Sequence, residues 1–215
     1  MVLHAHILNP AGEITEEQTR AAAEFAEAFD ATAEIPDTVP ERSAAWAAVD
    51  GDSGSEDPAP QGSTEPVDTL LLFDTSDNTT ADFGDGTIHT VGADALAALA
   101  TALGDEGQQV ALWNYSSPLN PGVTNGWRRN ISFTDAAESA AAVQRFSTGG
   151  VPQSRSALVA ATAAAAEQAR ATGEPARVLL LTTGTAQDMD DAAFTSALDQ
   201  AVGDAEVEIS VVHVG

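Results

Sequence analysis

One short stretch of the sequence carries residue types that can bind a cation. The apolar run 70–73 ends at Asp74, and Ser76 and Asn78 follow at alternate positions. A carboxylate and a hydroxyl two residues apart are oxygen ligands of the kind that hard divalent cations prefer. The same two side chains can instead cap a loop and the start of the next helix, a frequent role for Asp and Ser. The residues by themselves leave both interpretations open.

The apolar run before Asp74 predicts a strand that is buried on both faces. Four consecutive large apolar residues are typical of a central strand in a parallel sheet. In an open parallel sheet, ligands bind beyond the carboxyl ends of the strands, and Asp74 is expected at such an end. Residues 177–184 repeat the pattern, since a second apolar run ends in polar residues that include Thr183.

From residue 67 onward, predicted strands alternate with segments of helical periodicity. Strands are predicted at 67–74, 109–115, 127–133, 177–183 and 207–214, and helices at 93–103, 135–146 and 154–172 and after 188–191. Ser154 is expected to cap the third helix, and Arg128 and Arg129 to be exposed on an edge strand. The alternation predicts an α/β fold, with a doubly wound, mostly parallel Rossmann-like sheet and helices on both faces.

Residues 50–66 divide the chain into two parts. They are rich in Gly, Ser, Pro and acidic residues. Such a segment cannot bury enough surface to offset its ordering entropy, so we interpret it as a flexible acidic linker. It separates an N-terminal strand and helix (1–49) from a domain at 67–215. The helix is predicted at 15–33, where a capping box precedes an apolar face that includes Phe25 and Phe29.

Composition excludes several classes of partner and chemistry. The formal net charge is -25, from 33 acidic and 8 basic residues, and every basic residue is Arg. Such a surface repels nucleic acid and anionic membranes. The absence of Cys excludes disulfides and thiolate chemistry. No apolar run approaches the roughly 18 residues of a membrane helix, and no signal peptide is recognisable, so membrane insertion by this chain is not expected.

Residues 67–215 resemble a von Willebrand factor type A domain. The family motif Asp-x-Ser-x-Ser corresponds to 74–78, its Gly-Gly-Thr loop to 149–151, and its Leu-Thr-Asp-Gly strand end to 181–184. Strand 110–116 is also similar to the second strand of the family. The order and spacing of these motifs carry the resemblance, which implies the same fold for this part of the chain.

The resemblance implies a metal-ion-dependent adhesion site that has degenerated. In the family, three loops hold Mg²⁺ or Mn²⁺, and a carboxylate of a partner protein completes the ligand shell. Asp74 and Ser76 match that ligand set, whereas Asn78 replaces the second Ser. Val151 replaces the Thr and offers no side-chain oxygen, and Thr183 replaces the second Asp and removes a charge. A single carboxylate supplies too little negative charge for a strong Mg²⁺ site, so no cofactor is expected. The alternative is bound Mg²⁺ or Mn²⁺.

The functional expectation is a non-enzymatic, adhesion-type protein-interaction module of a bacterial cell-envelope protein. Its partner, a protein or an envelope component, would contact the loops around Asp74, Val151 and Thr183. The alternative is a ligand-binding domain that depends on Mg²⁺ or Mn²⁺. The sequence does not distinguish a purely structural domain from these two. A hydrolase or phosphotransferase is disfavoured, because the sequence has no Gly-x-Ser-x-Gly motif and no Lys.

The N-terminal residues allow two interpretations. They are similar, more weakly, to the last strand and helix of an actinobacterial solute-binding domain that precedes a type A domain, which implies an extracytoplasmic or cell-surface parent protein. Alternatively, helix 15–33 is an accessory element of the sheet. Type A domains normally end in a helix after the last strand, and none follows Val214 here. Helix 15–33 is then expected to cover the apolar face that would be left open.

Overall fold

The computed structural model describes residues 3–8, 65–118, 120 and 122–214, with 3–8 described as backbone only. The predicted helix 15–33 and most of the predicted linker lie outside these residues. The described elements are the strands β1 (Leu3–Leu8), β2 (Asp68–Asp74), β3 (Asp82–Phe83), β4 (Gly86–Thr87), β5 (Val110–Tyr115), β6 (Trp127–Ile131), β7 (Ala176–Thr182) and β8 (Val207–Val214) and the helices α1 (Ile88–Asp105), α2 (Ala136–Val143), α3 (Ser154–Thr172) and α4 (Asp191–Val202).

The strands form a six-stranded sheet in the order β1-β8-β7-β2-β5-β6. Every neighbouring pair is parallel except β5 and β6, which are antiparallel. The connection from β2 through α1 to β5 and the connection from β7 through α4 to β8 run in opposite directions along the sheet. Their helices lie in different core clusters, on opposite faces, as right-handed crossovers require. The predicted doubly wound α/β fold is therefore confirmed.

Strand β2 lies at the centre of the hydrophobic core. Leu70 to Phe73 are all 0% exposed. Leu70 and Leu72 pack in the cluster that contains α3, whereas Leu71 and Phe73 pack in the cluster that contains α1. The strand is thus buried on both faces, as its apolar run predicts, and its carboxyl end brings Asp74 to the edge of the core.

Helix α1 begins at Ile88, several residues before its predicted start at 93. Thr87 and Thr90 form a reciprocal capping box, in which each hydroxyl accepts the backbone N–H of the other residue. In the fold, the first turn is held because Ile88 is buried in the core cluster of α1.

Helix α3 is not capped by Ser154, which corrects the prediction from sequence. Ser154 is the first helical residue, and the preceding Gln153 makes no side-chain cap. Instead, Asp188 from the loop after β7 accepts the backbone N–H groups of Arg155 and Ser156, at 2.8 Å and 3.1 Å. A carboxylate at this position also interacts favourably with the helix dipole, so a distant acidic residue replaces the local hydroxyl.

Strand β1 belongs to the main sheet, whereas the sequence analysis assigned it to an N-terminal appendage. It pairs in parallel with β8 over its full length, from Leu3 opposite Ile209 to Leu8 opposite Val214. The physical reason is the free edge of β8, whose backbone donors and acceptors need partners. The similarity of residues 1–49 to a solute-binding domain stays a prediction.

An apolar groove of about 200 Å³ lies between α1 and the strands β7 and β8. Phe83, Leu99, Leu179 and Val212 line it and are only partly buried. The helix that was predicted to cover an open apolar face lies outside the described residues, so that cover stays a prediction. Among the described helices, none has the length and apolarity that a membrane span requires.

Candidate functional site

Three loops meet at the carboxyl ends of the central strands. The loop after β2 is joined to the loop before α3, because Gly149 N donates to Thr75 O and Asp77 N donates to Gly150 O, each at 2.8 Å. The loop after β7 is joined to the same segment, because Ala186 N donates to Pro152 O at 2.8 Å. We call the surface formed by residues 74–80, 147–153 and 183–188 the loop face.

The carboxylate of Asp74 lies under the loop face with its oxygens already engaged. Its Oδ1 accepts the backbone N–H of Ser76 at 2.8 Å. Its Oδ2 accepts the backbone N–H of Thr183 at 2.9 Å and the Thr183 hydroxyl at 2.6 Å. Asp74 is 0% exposed, and a buried charge of this kind is tolerated when it is well hydrogen-bonded. Three hydrogen-bond donors therefore stabilise the carboxylate.

Ser76 is the second predicted ligand that lies at this point. It is 0% exposed, and its carbonyl accepts the hydroxyl of Thr79 at 2.7 Å. Its own Oγ has no hydrogen-bond partner among the described residues. A buried hydroxyl left in this state costs about 1–3 kcal/mol. The Oγ of Ser76 is therefore the atom of the site that would gain most from an added ligand.

Asn78 and Val151 lie on the loop face without contributing to this centre. Asn78 is exposed in a short 3-10 helix, Asp77–Thr80, and no described hydrogen bond involves its side-chain amide. Val151 exchanges two bonds with Ser117, donating its N–H to Oγ at 3.0 Å and accepting the Ser117 N–H at 2.7 Å. The structure thus brings Asp74, Ser76 and Thr183 together, while Val151 holds its loop to the loop after β5.

Tyr115 is a member of the site that the sequence analysis did not single out. It is fully buried at the end of β5 and stands opposite Asp74 in the strand pairing. Burial raises the pKa of its hydroxyl well above the usual value, and the negative charge of Asp74 raises it further. The hydroxyl therefore stays protonated, and it donates a long bond of 3.4 Å to Leu181 O.

The loop after β7 is clamped to α3 by a second group that the sequence analysis missed. Arg155 donates to the Met189 carbonyl at 2.7 Å and forms an ion pair with Asp191. Together with the Asp188 cap, these contacts fix the segment that carries Thr183. The sequence shows only the acidic run 188–191, which is explained locally as the cap of α4. Its contacts with α3 could not be predicted from that local role.

The residues present are a poor fit for Mg²⁺. The centre holds a single carboxylate, and both of its oxygens already accept hydrogen bonds. Within the described part of the chain, no three His, Cys, Asp or Glu residues are grouped as metal ligands would be. Ser76 Oγ and Thr183 Oγ1 remain as neutral oxygens, whereas Mg²⁺ favours charged oxygen ligands in near-octahedral geometry.

Comparison with known proteins gives structural similarity alone. No protein-family model matches the sequence, and no curated protein matches it. A pilus adhesin, SpaC from Lactobacillus rhamnosus GG, is 20% identical over 58% of this chain and 15% of its own, with a TM-score of 0.45. Proximal thread matrix protein 1 from the mussel byssus is 17% identical over 69% of this chain and 36% of its own, with a TM-score of 0.47.

A third similar structure is the vWF domain of the type V pili tip protein Mfa5 from Porphyromonas gingivalis. It is 14% identical over 59% of this chain and 43% of its own, with a TM-score of 0.37. The chain thus spans less than half the length of each of these three structures. The α/β architecture described above rests on the strand order and pairing of this chain.

Proposed function

We propose that the α/β domain is a non-enzymatic, adhesion-type protein-interaction module, and that its partner docks on the loop face without a metal ion. The observation that carries the proposal is that both carboxylate oxygens of Asp74 already accept hydrogen bonds. Its buried carboxylate takes donors from Ser76 and Thr183, so the loops are tied together where a cation would otherwise hold them. The partner is a protein or an envelope component, and the parent protein is extracytoplasmic or at the cell surface.

The loop face has the form of a docking surface. Its exposed positions include Asp77, Asn78, Thr185 and Gln187, which stand above a buried and hydrogen-bonded base. Exposed loops on a rigid sheet are a frequent place for binding residues, because the sheet positions them at little entropic cost.

The described polar contacts favour binding over catalysis. No described hydrogen bond joins a Ser or Thr hydroxyl to a His, which nucleophilic catalysis of the Ser-His type requires. His89 is engaged elsewhere, since its Nε2 lies 3.0 Å from the Phe146 carbonyl and its ring stacks on Phe73. Tyr115 is sealed in the core and keeps its proton, so it is not placed to act as a general base.

The test is binding to a panel of purified surface proteins and envelope polymers, measured by surface plasmon resonance with and without EDTA. The loop-face variant is Asn78→Arg. The control is Glu174→Arg, a larger change of charge at another exposed position, which lies before β7 at the opposite end of the strands. We expect a partner of the wild type to lose at least tenfold in affinity with Asn78→Arg and to be unaffected by Glu174→Arg or EDTA. Loss of binding in EDTA would contradict the metal-independent proposal.

The orphan hydroxyl of Ser76 favours a second candidate, a ligand-binding domain that depends on Mg²⁺ or Mn²⁺. Calorimetric titration of the metal-free protein with Mg²⁺, Mn²⁺ and Ca²⁺, beside Asp74→Asn and Ser76→Ala, separates the two. The acidic surface binds cations diffusely, so only the difference between the proteins is informative. One saturable site that is lost in both variants would support the second candidate. Identical curves would support the first.

A further inference from the structure

A small polar cavity opens beside the loop face, between the loop after β5 and the start of β6. Its volume is about 70 Å³, and it shares Thr75 and Gly149 with the loop face. The polar side chains that line it are hydroxyls, amides and one guanidinium, and they include Ser117, Asn125, Arg128 and Ser147. By the criterion that one water needs roughly 10–15 Å³ of such volume, it has room for a few water-sized groups.

The one charged side chain that lines this cavity is opposite in sign to the net charge of the protein. The chain has a net charge of -25, yet no Asp or Glu is among the described residues that line the cavity, and Arg128 supplies its one formal charge. Arg128 makes no ion pair within the described part of the chain, whereas Arg155 and Arg170 each pair with an Asp. A free guanidinium in an acid-free cavity therefore creates a local preference for an anion.

Several donors in the cavity are available to such an anion. Asn125 and Ser147 are exposed, and no described hydrogen bond engages their side chains. In contrast, Asn114 donates to the Thr75 hydroxyl at 2.8 Å, and Ser117 Oγ already accepts the Val151 N–H. The planar fork of an Arg matches the two oxygens of a carboxylate, and amide and hydroxyl donors can satisfy the remaining lone pairs.

The cavity wall is held at a fixed spacing. Ser116 N donates to Gly126 O at 2.7 Å, which ties the two loops together. A Cβ atom at Gly126 would lie 2.5 Å from Ser116 O and 2.4 Å from Gln153 Oε1, so this close approach requires glycine. The backbone of Arg128 is held on β6, where it pairs with Asn114 of β5. The backbone that carries Arg128 is thus preformed, which lowers the entropic cost of binding.

We propose that this cavity binds a carboxylate of the partner protein, with Arg128 as the anchoring cation and Asn125 and Ser147 as additional donors. The inference rests on the proposed function, and it names the chemistry of the partner residue that the domain would recognise. The volume suits one carboxyl-bearing side chain. An exposed Arg on an edge strand also hinders pairing with another chain, and in that role alone Arg128 would not distinguish an Asp peptide from an Asn peptide.

The experiment titrates the ¹⁵N-labelled protein with the blocked peptide Ac-Gly-Gly-Asp-Gly-Gly-NH₂, with its Asn counterpart, and with sodium acetate. The signals followed are the side-chain amide of Asn125 and the Nε–H of Arg128. We expect saturable shifts with the Asp peptide. The Asn peptide should bind with an affinity lower by roughly tenfold or more, because a charge-assisted hydrogen bond is lost. Arg128→Gln is expected to weaken the Asp peptide to the same extent.

The matched control is Arg145→Gln, which removes the same charge at an exposed position after α2. It is expected to leave binding unchanged, and an unchanged pattern of backbone signals in both variants shows that they are folded. Equal binding of the two peptides, or equal weakening by both variants, would overturn the proposal in favour of diffuse attraction. Acetate that binds as tightly as the Asp peptide would identify a small anion as the ligand and contradict a partner side chain.

The failure of this inference is distinguishable from the failure of the proposed function. If Asn78→Arg abolishes the capture of a partner while neither peptide shifts the Arg128 signal, only the carboxylate cavity is wrong. If the Asp peptide binds through Arg128 and the Asn peptide binds more weakly, but no partner is sensitive to loop-face variants, the docking surface is wrong and the cavity stands.

Discussion

At the scale of single residues, Thr183 holds the buried carboxylate of Asp74. Its hydroxyl and backbone N–H both donate to Asp74, so a neutral side chain satisfies the carboxylate. The resemblance by itself predicts loss of strong metal binding from the missing charge. The structure adds that Thr183 stabilises the carboxylate of Asp74 with two hydrogen bonds.

This arrangement predicts that metal dependence can be introduced. In the double variant Thr183→Asp, Val151→Thr, a second carboxylate would stand beside buried Asp74, and the repulsion of two like charges destabilises the fold. A bound cation would relieve that repulsion and stabilise the folded state by mass action. Thermal unfolding should therefore show a lower Tm than wild type that rises on addition of Mg²⁺. The single variant Val151→Thr serves as control, and a Tm insensitive to Mg²⁺ in the double variant would contradict this account.

Tyr115 predicts a specific loss of stability at alkaline pH. Its folded-state pKa is raised by burial and by Asp74, so the folded protein retains a proton that the unfolded chain releases above about pH 10. The stabilisation is fully present below that pH and is lost as the pH rises toward the folded pKa, by about 1.4 kcal/mol per pH unit. The chain has one Tyr, no Cys and no Lys, so this titration is almost free of overlap.

Urea unfolding at several pH values between 8 and 11 measures that loss. Tyr115→Phe removes the titrating hydroxyl together with its long hydrogen bond to Leu181 O, so the stability of this variant should be nearly independent of pH over the same range. The absorbance of tyrosinate should appear together with unfolding in the wild type. If the Phe variant loses stability as steeply as the wild type, another group is responsible.

At the scale of elements, α3 depends on a cap from a distant loop. Asp188→Ala should destabilise the protein by about 1–2 kcal/mol, because two backbone N–H groups at the helix start lose their acceptor. Ser154→Ala should have a smaller effect, although sequence analysis favoured Ser154 as the cap. Chemical denaturation of both variants measures the difference. Equal destabilisation, or a larger loss of stability for Ser154→Ala, would support Ser154 as the cap of α3.

The edge strands also differ in how far local sequence could place them. Strand β6 was expected at an edge with exposed Arg residues, and the structure agrees, with Arg129 lying 4.7 Å from the ring centroid of Trp113. Strand β1 was recognised as a strand, but its partner was not. An alternating or apolar pattern identifies a strand, whereas the choice of neighbour depends on which sheet edge is free.

At the scale of the whole molecule, the net charge of -25 makes stability depend on salt. Like charges repel more strongly in the compact state, and salt screens them over a Debye length of about 10 Å at 0.1 M. The Tm should therefore rise as NaCl increases from low concentration toward physiological ionic strength. Sucrose at matched osmolality controls for general solvent effects. A Tm that is constant or falls with NaCl would show that the acidic surface does not oppose folding.

The sequence by itself determined the strands of the main sheet, the four described helices and their order along the chain, but not the short strands β3 and β4. Apolar runs of four residues and helical spacing are local patterns, and they led to β2, β7 and the doubly wound sheet. They also placed Asp74, Ser76 and Thr183 at strand ends, where an open sheet binds ligands. Residues that act through neighbours in the chain are readable in this way, because backbone geometry alone positions them.

Only the tertiary structure decided which of these residues meet. The bonds from Thr183 to Asp74 span 109 positions, and those from Asp188 to the start of α3 span 33 and 32. The position of Tyr115 against Asp74 and the acid-free cavity around Arg128 likewise depend on which strands lie side by side. Such contacts follow from packing and register, and a local pattern carries no information about the partner across the sheet.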